Sequence, residues 1–226
     1  LTFDTLVSNI TCIEPGAIEI LFSEPGVAIS WIQSPIPLAD GLLKFESQVP
    51  GQYMFTAVNS KGCKTSALLE IQLDTIKPLV NGLTGASLNC KNASVAIGFL
   101  NGLPADVTLV WNPGGKTTDT IQVVNAGKYT GILTGKNGCT TDFEIEVLAD
   151  FNAPIFFTKS DTIDCIKSKT DLQVLGNEVY DSVKWIGPNG TIYAGQMVKV
   201  DKPGLYKVIV TGENGCTSTD SAWVES

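Results

Sequence analysis

Apolar and polar positions alternate most clearly in the last third of the chain. Along Leu205–Thr211, Tyr206, Val208 and Val210 fall on one side and Lys207 on the other, the period of two that a half-buried β-strand requires. Thr170–Gly176 and Thr191–Val200 alternate in the same way, Ser182–Ile186 carries Trp185, and Thr217–Val224 closes the segment. Turn signals stand between them. Gly187-Pro-Asn-Gly190 is one, and Glu213-Asn-Gly215 is another, its Asn-Gly pair supplying the positive φ of a tight hairpin. Short strands with turns between and no helical period predict an all-β sandwich. The same register recurs upstream, with Tyr53, Phe55 and Ala57 in the inward places.

That recurrence is a repeat. Six cysteines fall in three pairs, Cys12 and Cys63, Cys90 and Cys139, Cys165 and Cys216, separated by 51, 49 and 51 residues. Each pair brackets a tryptophan (Trp31, Trp111, Trp185) and a Gly-x-Tyr (Gly51–Tyr53, Gly127–Tyr129, Gly204–Tyr206). The tyrosine always stands 10 residues before the second cysteine, which Gly62, Gly138 or Gly215 immediately precedes. The junctions repeat as well, in Asp74-Thr-Ile-Lys-Pro78 and Asp150-Phe-Asn-Ala-Pro154. A period of about 76 residues predicts three tandem β-sandwiches, 1–76, 77–152 and 153–226, each touching mainly its neighbours.

A module of about 75 residues buries little surface on its own. The repeat therefore predicts one internal bridge per copy, Cys12–Cys63, Cys90–Cys139 and Cys165–Cys216, chosen from the 15 pairings that six cysteines allow because each pair lies within one copy. Closing a loop of roughly 50 residues restricts the unfolded chain by about 4 kcal/mol. Zinc is disfavoured: there is no Cys-x-x-Cys and no His, so a site would need thiolates from separate copies. Three bridges imply an oxidising compartment, outside the cytoplasm.

Charge narrows the partners. The net charge is −8 and all 15 basic residues are Lys, which disfavours nucleic acid and anionic lipid. No run approaches the roughly 20 apolar residues of a membrane span, so membrane insertion of this segment is not expected. The chain starts at Leu1 without an initiating Met or a signal peptide and reads as part of something longer.

The order Cys, Trp, Gly-x-Tyr and Asn-Gly-Cys resembles the tandem Ig-like or PKD-like repeats of large secreted and cell-surface proteins of Bacteroidota. The resemblance is carried by Thr11-Cys12, Trp31, Gly51-x-Tyr53 and Gly62-Cys63, then by Asn89-Cys90, Trp111, Gly127-x-Tyr129 and Asn137-Gly-Cys139. In the last copy it lies in Asp164-Cys165, Trp185, Gly204-x-Tyr206 and Asn214-Gly-Cys216. It implies a stalk or adhesive unit of an adhesin, a gliding-associated filament or a multidomain exoprotein. Antibody-type domains place the tyrosine two residues before the second cysteine; the gap of 10 here sets this chain apart. A second resemblance is to the O-glycosylation signal of that phylum, Asp followed by Ser or Thr and a small or aliphatic residue. It implies modification at Thr5, Thr75, Thr120, Thr162, Ser182 and Ser221, although polar-to-β-branched junctions also begin strands.

Catalytic chemistry finds little support. Without His there is no Ser-His-Asp or Cys-His arrangement, there is no phosphate-binding loop, and none of the 23 acids can be singled out as a hydrolytic pair. The expectation is a chain that is not an enzyme and needs no cofactor. The three period-matched tryptophans are expected in the core, packed against the bridges. Trp223 takes the place of Glu70 and Glu146 in the other copies and should point outward, as a contact for a following domain or a ligand. Asp74 and Asp150 resemble the junction acids of cadherins, which implies Ca²⁺ at the linkers; the bland reading is a Pro-stiffened linker with a turn-forming Asp. The function expected is a non-catalytic structural or adhesive segment of an extracellular or cell-surface protein. Its partners would be neighbouring repeats, surface glycans or proteins, or further copies in fibres. The alternatives are a carbohydrate- or protein-binding module and an accessory segment of a secreted enzyme.

Overall fold

The computed structural model describes residues 1–226. The first copy contributes strands β1 (Phe3–Ser8), β2 (Gly16–Phe22), β3 (Ala28–Gln33), β4 (Lys44–Ser47), β5 (Gly51–Val58) and β6 (Lys64–Ile71). The second contributes β7 (Leu83–Thr84), β8 (Ser87–Asn89), β9 (Val95–Phe99), β10 (Val107–Asn112), β11 (Thr120–Val123), β12 (Gly127–Gly135) and β13 (Thr140–Asp150). The third contributes β14 (Phe157–Lys159), β15 (Thr170–Leu175), β16 (Tyr180–Ile186), β17 (Ile192–Ala194), β18 (Met197–Val200), β19 (Gly204–Gly212) and β20 (Thr217–Val224). The chain is all-β. It falls into two compact units, residues 1–82 with 101–119 and 130–144, and residues 83–100 with 120–129 and 145–226.

In the first unit the sheets β1-β2-β4 and β3-β5-β6 enclose a core of Ile18, Ile20, Ile29, Phe45, Tyr53, Phe55, Ala57 and Ile71. Strand β10 pairs with the later part of β12, from Val107 opposite Gly135 to Asn112 opposite Thr130. Trp111 meets Phe143 edge-on, ring centroids 5.2 Å apart. A Cβ on Gly131 would lie 2.5 Å from the Phe143 ring, so this glycine is the gap that the phenyl group fills.

The second unit holds the sheets β14-β15-β18 and β17-β16-β19-β20, around Leu172, Val174, Trp185, Val198, Val200, Tyr206, Val208, Val210 and Val224. It also holds the sheet β11-β9-β7 and a parallel pairing of β8 with the end of β13. The inward face expected of Tyr206, Val208 and Val210 is fully buried, as is that of Tyr53, Phe55 and Ala57. One expectation changes. The alternating run 191–200 is two strands: Ile192–Ala194 pairs with β16, and Met197–Val200 pairs with β15 in the other sheet. Gly195, at φ 126, makes the break and donates its N–H to the Val183 carbonyl at 2.9 Å, so an unbroken period of two runs through a change of sheet.

The Gly-x-Tyr motif has one structural use in all three copies. The tyrosine hydroxyl donates to the carbonyl four residues upstream: Tyr53 to Val49 at 2.7 Å, Tyr129 to Asn125 at 2.8 Å, Tyr206 to Lys202 at 2.9 Å. This is the tyrosine corner of Ig-like sandwiches. Gly51, Gly127 and Gly204 sit at φ 140, 140 and 130, a region that L side chains rarely adopt, where the chain turns into the strand. Trp111 and Trp185 are buried and Trp31 is half-buried. The indole N–H groups of Trp31 and Trp111 donate to the carbonyls of Leu42 and Thr118. Their rings pack on phenylalanines, Trp31 against Phe45 and Phe55 and Trp111 against Phe143. The in-copy bridges against which the tryptophans were expected to pack are not the ones that form.

Candidate functional site at the cross-linked turns

The disulfides join Cys12 to Cys139 and Cys90 to Cys216, with sulfurs 2.00 and 2.02 Å apart and Cα atoms 5.0 Å apart in each. Each bridge links the first cysteine of one copy to the second cysteine of the next, across 127 and 126 residues. The expected pairs Cys12–Cys63, Cys90–Cys139 and Cys165–Cys216 do not form, and Cys63 and Cys165 are free and exposed. The reason is strand length. Ile10, two residues before Cys12, bridges Leu73 beyond the end of β6, whereas Cys63 precedes the start of that strand. At about 3.3 Å per residue an eight-residue strand sets them roughly 25 Å apart; a bridge needs Cα atoms within about 7 Å. The third copy repeats this. Ile163 donates its N–H to the Glu225 carbonyl past the end of β20, while Cys216 stands just before Thr217.

The bonded cysteines come from two kinds of turn. The first cysteine of each copy follows a residue that closes the loop on itself. Thr11, Asn89 and Asp164 donate backbone N–H to the carbonyls of Glu14, Asn92 and Lys167, and their side-chain oxygens accept the amides of the following residues. Backbone N–H groups of Lys167 and Ile166 hold the Asp164 carboxyl below the usual carboxylate range. The second cysteine ends a tight hairpin. Gly135 N–H donates to the Cys139 carbonyl and Gly138 N–H to the Gly135 carbonyl, both at 2.9 Å, and Gly212, Gly215 and Cys216 do the same.

Where a pair is bonded, the two turns also touch. Cys12 N–H donates to the Asn137 carbonyl at 3.2 Å, and Lys91 N–H to the Asn214 carbonyl at 3.3 Å. The residue after the first cysteine covers the glycine before the second. A Cβ on Gly138 would lie 2.6 Å from Ile13 Cγ1, and one on Gly215 would lie 2.3 Å from Lys91 Cγ. The same hairpins grip the linkers. The Asn137 amide reaches the carbonyls of Asp74 and Ile76 and the Asp74 carboxylate, the last at 2.8 Å. The Asn214 amide reaches the carbonyls of Asp150 and Asn152. Pro78 and Pro154 lie against the glycines that open the hairpins, Gly135 and Gly212, and Thr141 donates to the Pro78 carbonyl at 2.7 Å. Asn137 and Asn214 were missed as functional residues in the sequence. Their signal was the Asn-Gly-Cys shared by the second and third copies, where the first has Lys61-Gly62-Cys63.

The remaining sequence-derived residues scatter. Asp74 serves Asn137, and the Asp150 carboxylate accepts the backbone and side-chain N–H groups of Asn152. No cluster of three acidic or thiol groups forms at either aspartate. Thr75, Thr162, Ser182 and Ser221 are exposed, and Thr5 and Thr120 are half-buried at strand positions. Trp223 points outward as expected, 60% exposed, across from exposed Leu205 on β19. Ala222 and Val224 on either side of it are buried.

No family model matches the chain, and no curated protein matches it. Solved structures do. A structure bearing on host cell surface retention of a 1.5-MDa bacterial ice-binding adhesin is 13% identical, covers 100% of this chain and 98% of its own, and superposes with a TM-score of 0.51. The fold is Ig-like. Drosophila OTK extracellular domains 3–5 align at 14% identity over 96% of this chain and 92% of theirs, with a TM-score of 0.29. SGBP-B of the Bacteroides ovatus mixed-linkage glucan utilization locus, solved with mixed-linkage heptasaccharide, aligns at 13% identity over 96% of this chain, with a TM-score of 0.24. This chain spans 65% of that protein. Of these three, the adhesin alone superposes well enough to bear on the fold. The cross-linked turns gather the bonded cysteines and the asparagines that hold the linkers.

Proposed function

We propose that the chain is a non-catalytic, load-bearing segment of an extracellular or cell-surface protein, a stalk or adhesive array of three Ig-like modules (1–76, 77–152 and 153–226). The observation that carries this reading is the overlap of the two disulfide loops, Cys12–Cys139 and Cys90–Cys216, which share residues 90–139. Tension on the ends travels from Leu1 to Cys12, across to Cys139, back along the chain to Cys90, across to Cys216 and on to Ser226. Bridges of this kind belong to oxidising compartments, and a net charge of −8 keeps a crowded array soluble. The resemblance of its motifs to Bacteroidota surface repeats points the same way.

Single-molecule pulling tests it. At about 3.5 Å per residue the bonded chain extends to roughly 250 Å and the reduced chain to roughly 800 Å. An oxidised chain that pays out its full reduced length removes the load-bearing role. A second reading, recognition of a glycan or protein, rests on the outward pair Trp223 and Leu205. A glycan array on which wild type and Trp223→Ala give the same signals would dispose of it.

A further inference from the structure

We infer that Cys165 and Cys63 are complementary halves of a third bridge, and that the occupant of each is a second copy of this chain, joined head to tail. The evidence is the repeat itself. Cys12 and Cys90, the equivalents of Cys165, are both bonded, and so are Cys139 and Cys216, the equivalents of Cys63. Two complete examples of the joint therefore stand beside one free, exposed cysteine of each kind.

What surrounds the free thiols matches a joint lacking its partner. Ile13 and Lys91 each cover a glycine in the facing hairpin; Ile166, in the same place, is 98% exposed. Gly138 and Gly215 are each covered; Gly62 has nothing within 4 Å of where its Cβ would be. Cys139 and Cys216 are buried in their joints, whereas Lys61, Gly62 and Cys63 are all exposed. The Cys63 hairpin nevertheless keeps the backbone of the bonded ones. Asn59 N–H donates to the Cys63 carbonyl at 3.0 Å and Gly62 N–H to the Asn59 carbonyl at 2.9 Å. The Cys165 turn keeps the backbone of the Cys12 and Cys90 turns.

The hairpins also say what arrives. At Cys139 and Cys216 the residue four places earlier is a glycine that seats the linker proline, and the residue two places earlier is an asparagine that holds the linker carbonyls. At Cys63 those two places are Asn59 and Lys61. Asn59 turns its amide to Glu24 at 3.0 Å and its oxygen to Cys63 N–H at 2.9 Å. The half-site at Cys63 thus keeps what makes the bridge and lacks what receives a linker. It suits a Cys165 turn on a separate chain.

The chemistry balances with a small disulfide as oxidant, here oxidised glutathione. The Cys165 thiolate attacks it and releases one reduced glutathione; the Cys63 thiolate of the next copy then attacks the mixed disulfide and releases the second. Two thiols give one protein disulfide, and both electrons end on glutathione.

The test uses Cys63→Ser and Cys165→Ser chains, alone and mixed, in a glutathione redox buffer, followed by non-reducing gels and peptide mass spectrometry. The mixture is expected to form a dimer linked Cys63–Cys165 several-fold faster than either variant dimerises alone, and wild type to form a longer ladder. Ile166→Ser, which removes the apolar cover without adding charge, is expected to slow the joint several-fold while its Cys165 reacts with a small thiol reagent at the wild-type rate. Equal dimerisation of the separate variants, absence of any Cys63–Cys165 link, or an Ile166→Ser chain that joins at full speed would each overturn the inference.

Discussion

The hairpins at Cys139 and Cys63 share a backbone and differ in everything laid against it. Asn137 spends its amide on the linker and Ile13 roofs Gly138. Asn59 spends its amide on Glu24, inside its own copy, and Gly62 stands bare. One local fold is therefore buried at Cys139, where the Cys12 turn and the linker lie against it, and exposed at Cys63. The difference teaches that the strength of such a turn is tertiary: the hairpin forms in both places, but only one carries a cross-link within the chain.

The sharpest way to break the comparison is to remove the thiols one at a time. Cys139→Ser is expected to cost about 5 kcal/mol by loop-closure entropy, since the lost loop spans 127 residues. Cys63→Ser should stay within about 0.5 kcal/mol, as exposed substitutions do. Urea unfolding with and without a phosphine reductant measures both, and equal losses would erase the distinction between the bonded and the free cysteine. Next in size is the linker grip. Asn137→Ala removes the amide from the Asp74 and Ile76 carbonyls and the acceptor of Cys139 N–H, and is expected to cost about 1–2 kcal/mol. Lys61→Ala should be near neutral, because Lys61 is exposed. Comparable losses for the two would mean that the asparagine does not hold the linker.

The smallest effect separates the first-cysteine turns. Thr11 and Asn89 do not titrate, whereas Asp164 does, and its carboxyl is held low by the N–H groups of Lys167 and Ile166. A carboxyl depressed in the folded state stabilises its turn above the ordinary carboxylate range and loses that contribution as pH falls through the depressed value. Amide NMR shifts of Ile166 and Lys167 should therefore move in acid, while those of Lys91 and Asn92 in the Asn89 turn stay flat. Matching curves at these two turns would remove this distinction.

Much of the sandwich was legible because burial writes itself into a period of two. Tyr206, Val208 and Val210 showed their face, and Trp223 showed that it lay on the other by standing between two inward positions. The break at Gly195 was not legible, because alternation continues through it on a new sheet. The cysteine partners were hidden by the repeat itself. A pairing within each copy and a pairing offset by one copy give equally regular separations, 51 residues in one case and 127 in the other. What decides between them is the eight-residue run of β6, which holds Cys12 and Cys63 apart. The departure of Lys61 from the Asn-Gly-Cys pattern was the visible hint that the first hairpin is of another kind.

Overlapping rings have a consequence for damage. A protease that cuts anywhere between Cys12 and Cys216 leaves one of the bonded cysteines on each side of the nick, and a sulfur bridge spans it. A cut in the exposed Asn101–Gly102 turn is spanned by both. No single cleavage in that stretch frees a fragment to diffuse away; the backbone can be severed while the molecule stays in one piece.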